Sequence, residues 1–381
     1  MNNPHKIIHI ITGLDVGGAE QMLKRLLLSD PDSKNKVLII SLSGMGAIGV
    51  YLELAGYQVQ ALDFRRLSSL STNFRALVRL IKANKPAMVQ TWMYHADFFG
   101  GLAARMAGCR NVVWGIRNTF VPLNSRKTYW LMRLCAMLSY VVPKKIICVA
   151  EAAKKKHVSY GYHAKKMLVI PNGFDFTCFD AQRVDNKRIR QEFGIGASDF
   201  VVGCVGRLHL DKGQDIFITA VALLEKIHNQ RMHFMLVGRG CDHKNAELMH
   251  QIDSFGLTSS FILLGERHDI PECLAAMDVF CMPSRTEGFP NGLGEAMSMG
   301  LPCVATHVGD AKVLTGDTAV LVAADDAMAL AVGLTKMICM HPEERKRLGI
   351  RAATRVREQF SIDKARDRFY ELYREITELS Y

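Results

Sequence analysis

The ten cysteines of this chain never stand closer than eight positions to one another, which excludes zinc knuckles and a CxxC redox pair. Scattered thiols of this kind are expected to be reduced and mostly buried. No stretch approaches the roughly 18–20 uninterrupted apolar residues needed to span a bilayer. The start, Met1-Asn2-Asn3-Pro4-His5-Lys6, lacks a signal-peptide pattern, so the expectation is a soluble, intracellular protein. A phosphate loop of the G-x-x-x-x-G-K type is absent. The dinucleotide fingerprint is only half present, as Gly238-Arg239-Gly240 with His243 where its third glycine would fall. A lone GxG is also what any tight strand-to-helix turn looks like, and no acidic ribose reader follows about 20 residues on.

What the chain does have is length, apolar residues and an uneven charge. Its 381 residues, 49% of them hydrophobic, suffice for two cores of about 100–200 residues each. The net charge of +11 divides into +15 for residues 1–175 and −4 for the remainder. The excess gathers in Arg65-Arg66, Arg126-Lys127, Lys144-Lys145, Lys154-Lys155-Lys156 and Lys165-Lys166, interleaved with Trp130, Leu131, Met132, Leu134, Met137 and Leu138. Basic clusters beside an apolar helix face suit an anionic lipid surface, at about 1 kcal/mol per well-placed Lys or Arg. No zinc finger, RNP-type aromatic strand or helix-turn-helix accompanies them, so nucleic acid is not expected as a partner. Solvated surface lysines would account for the same composition.

Apolar runs alternate with helical stretches. Ile7–Ile11, Val37–Ser41, Gln58–Leu62, Met88–Thr91, Val112–Gly115 and Lys145–Val149 read as strands, with helices at 19–28, 52–55, 74–83, 96–107 and 130–142 between them. Pro171-Asn172-Gly173 punctuates the chain, and a polar helical segment, Gln182 to Phe193, leads away from it. The alternation restarts with strands at Phe200–Val205, His233–Val237, Phe261–Leu264, 279–283, Cys303–Thr306 and Ala319–Val322. Helices are predicted at 213–228, 245–255, 271–277, 325–340 and 343–358. A last helix over Ser361 to Ser380 carries an N-cap serine and apolar positions Phe369, Tyr370, Leu372, Tyr373 and Ile376. This βαβ layout implies parallel doubly wound sheets without an internal sequence repeat.

Chemistry concentrates in Glu287-Gly288-Phe289-Pro290-Asn291-Gly292-Leu293-Gly294-Glu295. Two carboxylates flank a glycine-rich turn between a buried strand and a short helix expected to begin at Gly294. In open α/β sheets ligands sit outside the carboxyl ends of strands, where helix N-termini offer N–H groups and positive potential. Such a turn suits a diphosphate, and each carboxylate can accept hydrogen bonds from vicinal sugar hydroxyls, which is the chemistry of a nucleotide sugar. Taken singly, Glu295 would serve as a first-turn partner of the helix dipole and Glu287 as a solvated loop charge. Arg207 in Gly206-Arg207-Leu208, with Lys212-Gly213 five residues later, places two cations at another strand end, and losing such a group beside a leaving phosphate costs about 3 kcal/mol. In the first half, Gly13 and Gly17-Gly18-Ala19-Glu20 form a glycine-rich loop. Met93-Tyr94-His95-Ala96-Asp97 follows a further strand end.

Together, the G-R-L and K-G pair, the block PSRTEGFPNGLGEAMSMGLP, the early GGAE and PNGFD resemble the retaining nucleotide-sugar glycosyltransferases of family 4, over nearly the whole chain and in the family's order. The resemblance implies an α/β GT-B fold of two Rossmann-like doubly wound domains facing a central cleft. Residues 1–176 would bind the acceptor and 177–360 the nucleotide sugar, and 361–381 would cross back to the first domain. It implies that Glu295 receives the ribose hydroxyls, Glu287 those of the transferred sugar, and Arg207 with Lys212 the diphosphate. Asn291, Gly292 and Leu293 would assist through backbone amides, and Gly238 joins the donor-facing set. His95 matches the family's histidine near the transferred sugar, and Gly17-Gly18 its phosphate-facing loop. Retention in this family is attributed to same-face attack, so no protein nucleophile is needed, and no metal and no cofactor are expected.

The stretches TWMYHADFFGGLAARMAG and VVWGIRNT look like the branch that assembles bacterial surface polysaccharide, such as O-antigen, capsule or lipopolysaccharide. That likeness implies a UDP-hexose or UDP-N-acetylhexosamine donor and a polyprenyl-diphosphate-linked saccharide acceptor. The protein would work on the cytoplasmic face of the plasma membrane. A GT-B epimerase acting on a UDP-sugar, or a non-catalytic membrane-docking scaffold, are the alternatives; the first would need additional acid/base carboxylates.

Overall fold

The structure, a computed structural model, describes residues 7–64, 69–119, 126–185, 187–224 and 232–378. Arg65-Arg66, Met1 to Lys6, the end of the helix expected over Ser361 to Ser380 and the tail of the helix expected over 213–228 lie outside the described residues. The chain divides into two compact units, Met1–Gly173 together with Ile362–Tyr381, and Phe174–Ser361.

The first unit holds seven strands: β1 Ile7–Ile11, β2 Val37–Ser41, β3 Gln58–Ala61, β4 Met88–Trp92, β5 Val112–Ile116, β6 Lys145–Cys148 and β7 Met167–Val169. They hydrogen-bond in the order β3-β2-β1-β4-β5-β6-β7, all parallel. A parallel sheet is covered on both faces, so its inner strands are mostly apolar and rich in Ile and Val. Ile8 and Ile10 point into one core with Leu38, Ile40 and Trp114, while Ile11, Val37, Ile39 and Trp92 point into the other. Only the edge strand β3, with its two glutamines, is largely exposed.

The helix Ile362–Glu378 belongs to this unit: Phe369, Leu372, Tyr373 and Ile376 complete the second core. Phe369 stacks on Trp92 at 5.9 Å between centroids, and Trp92 Nε1 donates to His9 Nδ1 at 3.1 Å. Burial lowers the His9 pKa to about 3, so its ring is a neutral acceptor inside the sheet.

The second unit has six strands: β8 Phe200–Val205, β9 Met232–Val237, β10 Phe261–Gly265, β11 Val279–Met282, β12 Cys303–Thr306 and β13 Val320–Val322. Their order is β10-β9-β8-β11-β12-β13, again parallel throughout. In both sheets the order reverses beside the first strand, at β1/β4 and at β8/β11, where loops diverge and leave room for a ligand.

Three expectations change. The helix placed from Gly294 begins at Asn291, because Pro290 closes the preceding turn and its carbonyl accepts the Gly294 amide at 3.2 Å. Glu295 is therefore in the second turn rather than the first, and the dipole reading of it weakens. The helix over 182–193 shrinks to Arg188–Glu192. Asp180 and Asp185 instead accept the amides of Gln182 and Lys187, holding local turns that compete with helix. The helix expected at 96–107 opens with a π-helical turn, Ala96–Gly100, before the α-helix Gly101–Met106.

Candidate active site

In the second unit the site forms where β8 and β11 end. Beyond β8, the Gly206 amide donates to Val237 O at 2.8 Å and the Leu208 amide to Arg239 O at 2.8 Å, so the G-R-L and G-R-G loops run side by side. A Cβ on Gly238 would sit 2.2 Å from Gly206 O. Gly238 is thus demanded by the contact of two backbones, and its own φ of 143° is glycine territory. Arg207 is exposed, and its backbone is held from below. Gln214, 1% exposed, donates Nε2 to Arg207 O at 2.9 Å and to Gly206 O at 3.3 Å.

Lys212 ends the turn Leu210–Lys212, and Gly213 follows with φ of 68°. A Cβ at Gly213 would meet Pro283 O at 2.1 Å, so the loop after β11 presses directly on the Lys212 loop. Across that contact Lys212 Nζ donates to Glu287 Oε1 at 2.7 Å, and Ser284 Oγ donates to the same oxygen at 2.7 Å. Ser284 is buried, with its carbonyl taking a 2.6 Å hydrogen bond from Thr306 Oγ1 of β12. The Glu287 side chain is 12% exposed and that of Lys212 33%, so both reach solvent from a wall of fixed groups.

The helix Asn291–Ser298 rises behind them. Its first intrahelical bond is made by the Gly294 amide, so the amides of Gly292 and Leu293 have no carbonyl ahead of them within the helix. Gly294 has no room for a side chain, since a Cβ would lie 2.0 Å from the Phe174 ring. Phe289 packs on Phe174 and Phe360 at 6.2 and 5.3 Å, so the phenylalanine of PNGFD seats the carboxylate block. Lys212, Ser284, Glu287, Gly292 and Leu293 line one concavity together with Val205. Arg207, Gly238 and Glu295 are not in that lining, and Glu295 is half-buried on the helix. A cation, a carboxylate and helix amides in one recess can hold a diphosphate and the hydroxyls of a sugar joined to it.

Gly17, Gly18 and His95 belong to the first unit. Gly17 precedes the helix Gly18–Leu28, and a Cβ there would fall 2.4 Å from Glu20 Oε2. The Glu20 carboxylate is held by its own backbone amide, and burial raises its pKa above the ordinary value. This helix start therefore carries its own acidic group. His95 is exposed, yet partial desolvation lowers its pKa below the ordinary value. Its segment is anchored by Asp97, fully buried, which accepts Thr91 Oγ1 at 2.5 Å and the Gly115 amide at 3.3 Å. Burial pushes Asp97 up to about 8. Gln214 and Thr306 support the site without standing in any motif, and Ser284 supports it from within the carboxylate block. Their partners lie 7 to 22 residues away or act through backbone carbonyls, except Ser284, three positions before Glu287 in the same block.

Among the described residues no cluster of His, Cys, Asp or Glu has the arrangement of a metal site, and no helix is long and apolar enough to cross a membrane.

Comparison with known proteins gives a consistent assignment. Residues 16–177 match the family described as Glycosyltransferase Family 4, and residues 199–339 the one described as Glycosyl transferases group 1. A UDP-Gal:alpha-D-GlcNAc-diphosphoundecaprenol alpha-1,3-galactosyltransferase of Escherichia coli is 30% identical over 239 residues, spanning 61% of this chain and 61% of that protein. The capsular polysaccharide biosynthesis glycosyltransferase CapM of Staphylococcus aureus is 24% identical over 79% of this chain and 80% of its own length. Among solved structures, Anabaena HepE in complex with UDP and glucose superposes with a TM-score of 0.85 at 25% identity, covering 97% of this chain and 99% of that one. With two family matches that together take in both units, and two parallel Rossmann-like sheets to match, the chain belongs to glycosyltransferase family 4, of GT-B fold.

Proposed function

We propose that this protein transfers a sugar, with retention of anomeric configuration, from a UDP-hexose or UDP-N-acetylhexosamine to a lipid-linked saccharide in bacterial surface-polysaccharide assembly. The observation that carries this reading is the 2.7 Å contact of Lys212 with Glu287 beside the first turn of the helix Asn291–Ser298. In the reaction the bond from the sugar's anomeric carbon to the diphosphate oxygen breaks. The acceptor hydroxyl bonds to that carbon on the same face, and its proton passes to the leaving phosphate oxygen. Lys212 and Arg207, with the amides of Gly292 and Leu293, stabilise the charge that grows on the diphosphate. Glu287 orients the sugar and Glu295 the ribose, and the family likeness assigns His95 a role toward the transferred sugar. UDP bound in a structural neighbour and the diphosphoundecaprenol substrate named for the E. coli relative support this choice of donor and acceptor.

Lys212, Arg207 and the helix dipole do in this scheme what a divalent cation does elsewhere. Turnover is therefore expected to persist undiminished in excess chelator. Activity lost on chelation and restored by magnesium or manganese would overturn this part of the scheme.

The lipid-linked acceptor brings the protein to the cytoplasmic face of the membrane, and the helix Arg126–Leu138 supplies the contact. Met132, Cys135 and Ala136 face the core, while Trp130, Leu134 and Met137 face outward at helical spacing, and Tyr140 and Val141 continue the exposed face. Trp130, Met137 and Val141 are each about two-thirds exposed. Lys166 Nζ reaches Tyr140 O at 2.7 Å, and Arg133 reaches Tyr160 O at 2.6 Å, which puts cations around this apolar stripe. Replacing both Trp130 and Met137 with Ser is expected to weaken binding to phosphatidylglycerol-containing vesicles by at least about tenfold, measured by co-sedimentation. Unchanged binding would move the docking face elsewhere.

A further inference from the structure

Arg285 stands between Ser284 and Glu287 in sequence, but its side chain turns away from the recess and into the loop that carries Lys212. Its Nη1 and Nη2 grip both oxygens of Asp215 at 2.8 and 2.6 Å. Nη1 also donates to Leu210 O at 2.7 Å, and Nε donates to Asp325 Oδ1 at 2.7 Å. Its backbone amide donates to Asp211 O at 2.8 Å. Leu210, Asp211 and Asp215 bracket Lys212, so one residue of the Glu287 loop holds the Lys212 loop on both sides of the lysine. Asp325, the third attachment, sits at φ of 60°, a conformation uncommon for a side-chain-bearing residue and better tolerated by Asp than by most. The hydrogen bonds that Arg285 donates hold the Asp215 carboxyl below its ordinary pKa, and the same bonds raise the pKa of the guanidinium in turn.

We infer that Arg285 is a positioning residue for the transfer step, a strut that sets the distance between Lys212 and the carboxylate of Glu287. This deepens the proposed function and rests on its assignment of Lys212 to the leaving phosphate. The planar guanidinium fork matches a carboxylate bidentately and has donors left for Leu210 and Asp325; an ammonium on a flexible stem cannot reproduce that geometry. A displacement of about 1 Å between a catalytic cation and the atom it serves can cost up to about a hundredfold in rate. Donor binding is spread over Glu287, Glu295 and the helix amides, so it depends far less on the strut.

Arg285→Lys, which keeps the charge, is expected to lower kcat about tenfold with the donor KM changed by less than about threefold. Asp215→Asn should reproduce the effect. In a Lys212→Ala background the same Arg285→Lys change is expected to cost less than about twofold, because the group it positions is gone. Equal losses in both backgrounds would overturn the inference in favour of a general structural role. Independently of activity, amide hydrogen exchange across 209–215 and 283–288 should speed up together in Arg285→Lys while the melting temperature of the full chain stays close to that of the parent. Unchanged exchange in both segments would also overturn it. If the parent protein turns over no donor, the transferase reading fails, and the exchange comparison still decides whether the strut exists.

Discussion

Lys212→Ala is expected to lower kcat by about two orders of magnitude and to leave the folded protein intact. Two effects compete in this substitution, and their sizes differ. The Lys212 side chain is one-third exposed, and its ion pair with Glu287 is of the partly solvated kind that contributes at most about 1 kcal/mol to stability. A cation facing the oxygen on which charge accumulates is worth about 3 kcal/mol in the transition state. The loss should therefore fall on the chemical step. Thermal unfolding should shift by no more than a few degrees, while single-turnover transfer slows about a hundredfold. Ser284 Oγ still donates to Glu287 in this variant, so the carboxylate keeps one of its two supports. A rate within a few-fold of the parent would take Lys212 out of the leaving-group role and, with it, the case for metal-free stabilisation.

Glu287→Gln is expected to reduce kcat/KM for the donor about a hundredfold. The glutamine preserves volume and one acceptor oxygen, so the recess keeps its shape, but the negative charge is lost. Hydrogen bonds to an ionised acceptor contribute about 1.5–3 kcal/mol against about 0.5–1.5 for neutral ones, and two sugar hydroxyls are at stake. Lys212 also loses the carboxylate that fixes its Nζ at 2.7 Å. The deciding comparison uses donors lacking single sugar hydroxyls. At least one such deoxy donor should be turned over poorly by the parent and lose little more in the variant. If every deoxy donor loses as much again in Glu287→Gln as the variant loses with the full donor, the carboxylate does not touch the sugar.

The strands were readable because burial on both sides leaves an unambiguous trace: Phe200–Val205 and Val37–Ser41 are apolar in nearly every position. The strand Met167–Val169 escapes the same reading because it is only three residues long and follows Lys165-Lys166 directly. The helix Gly46–Leu54 showed only its last turn, since its apolar residues surround it and give no stripe to detect. The start of the helix at Asn291 is hidden by Gly292 and Gly294, which look like turn residues; at Gly294 the Phe174 ring fills the space a side chain would need. At the site, the two carboxylates and two cations stand out in sequence by spacing alone. What holds them does not, because Arg285 meets Asp215 across 70 residues and Gln214 acts on backbone carbonyls that carry no sequence signature.

In the proposed reaction the recess beside Glu287 and Glu295 binds a nucleotide sugar, whose sugar passes to an acceptor while the nucleotide is released. The direct test is nucleotide release from a panel of UDP-, GDP- and ADP-sugars, with and without a polyprenyl-diphosphate-linked saccharide, run beside Glu295→Ala. The expected result is release of UDP from one UDP-sugar, stimulated by the lipid-linked saccharide and abolished in the variant. Release that is indifferent to Glu295→Ala, or no release with any donor from a folded protein, would contradict it.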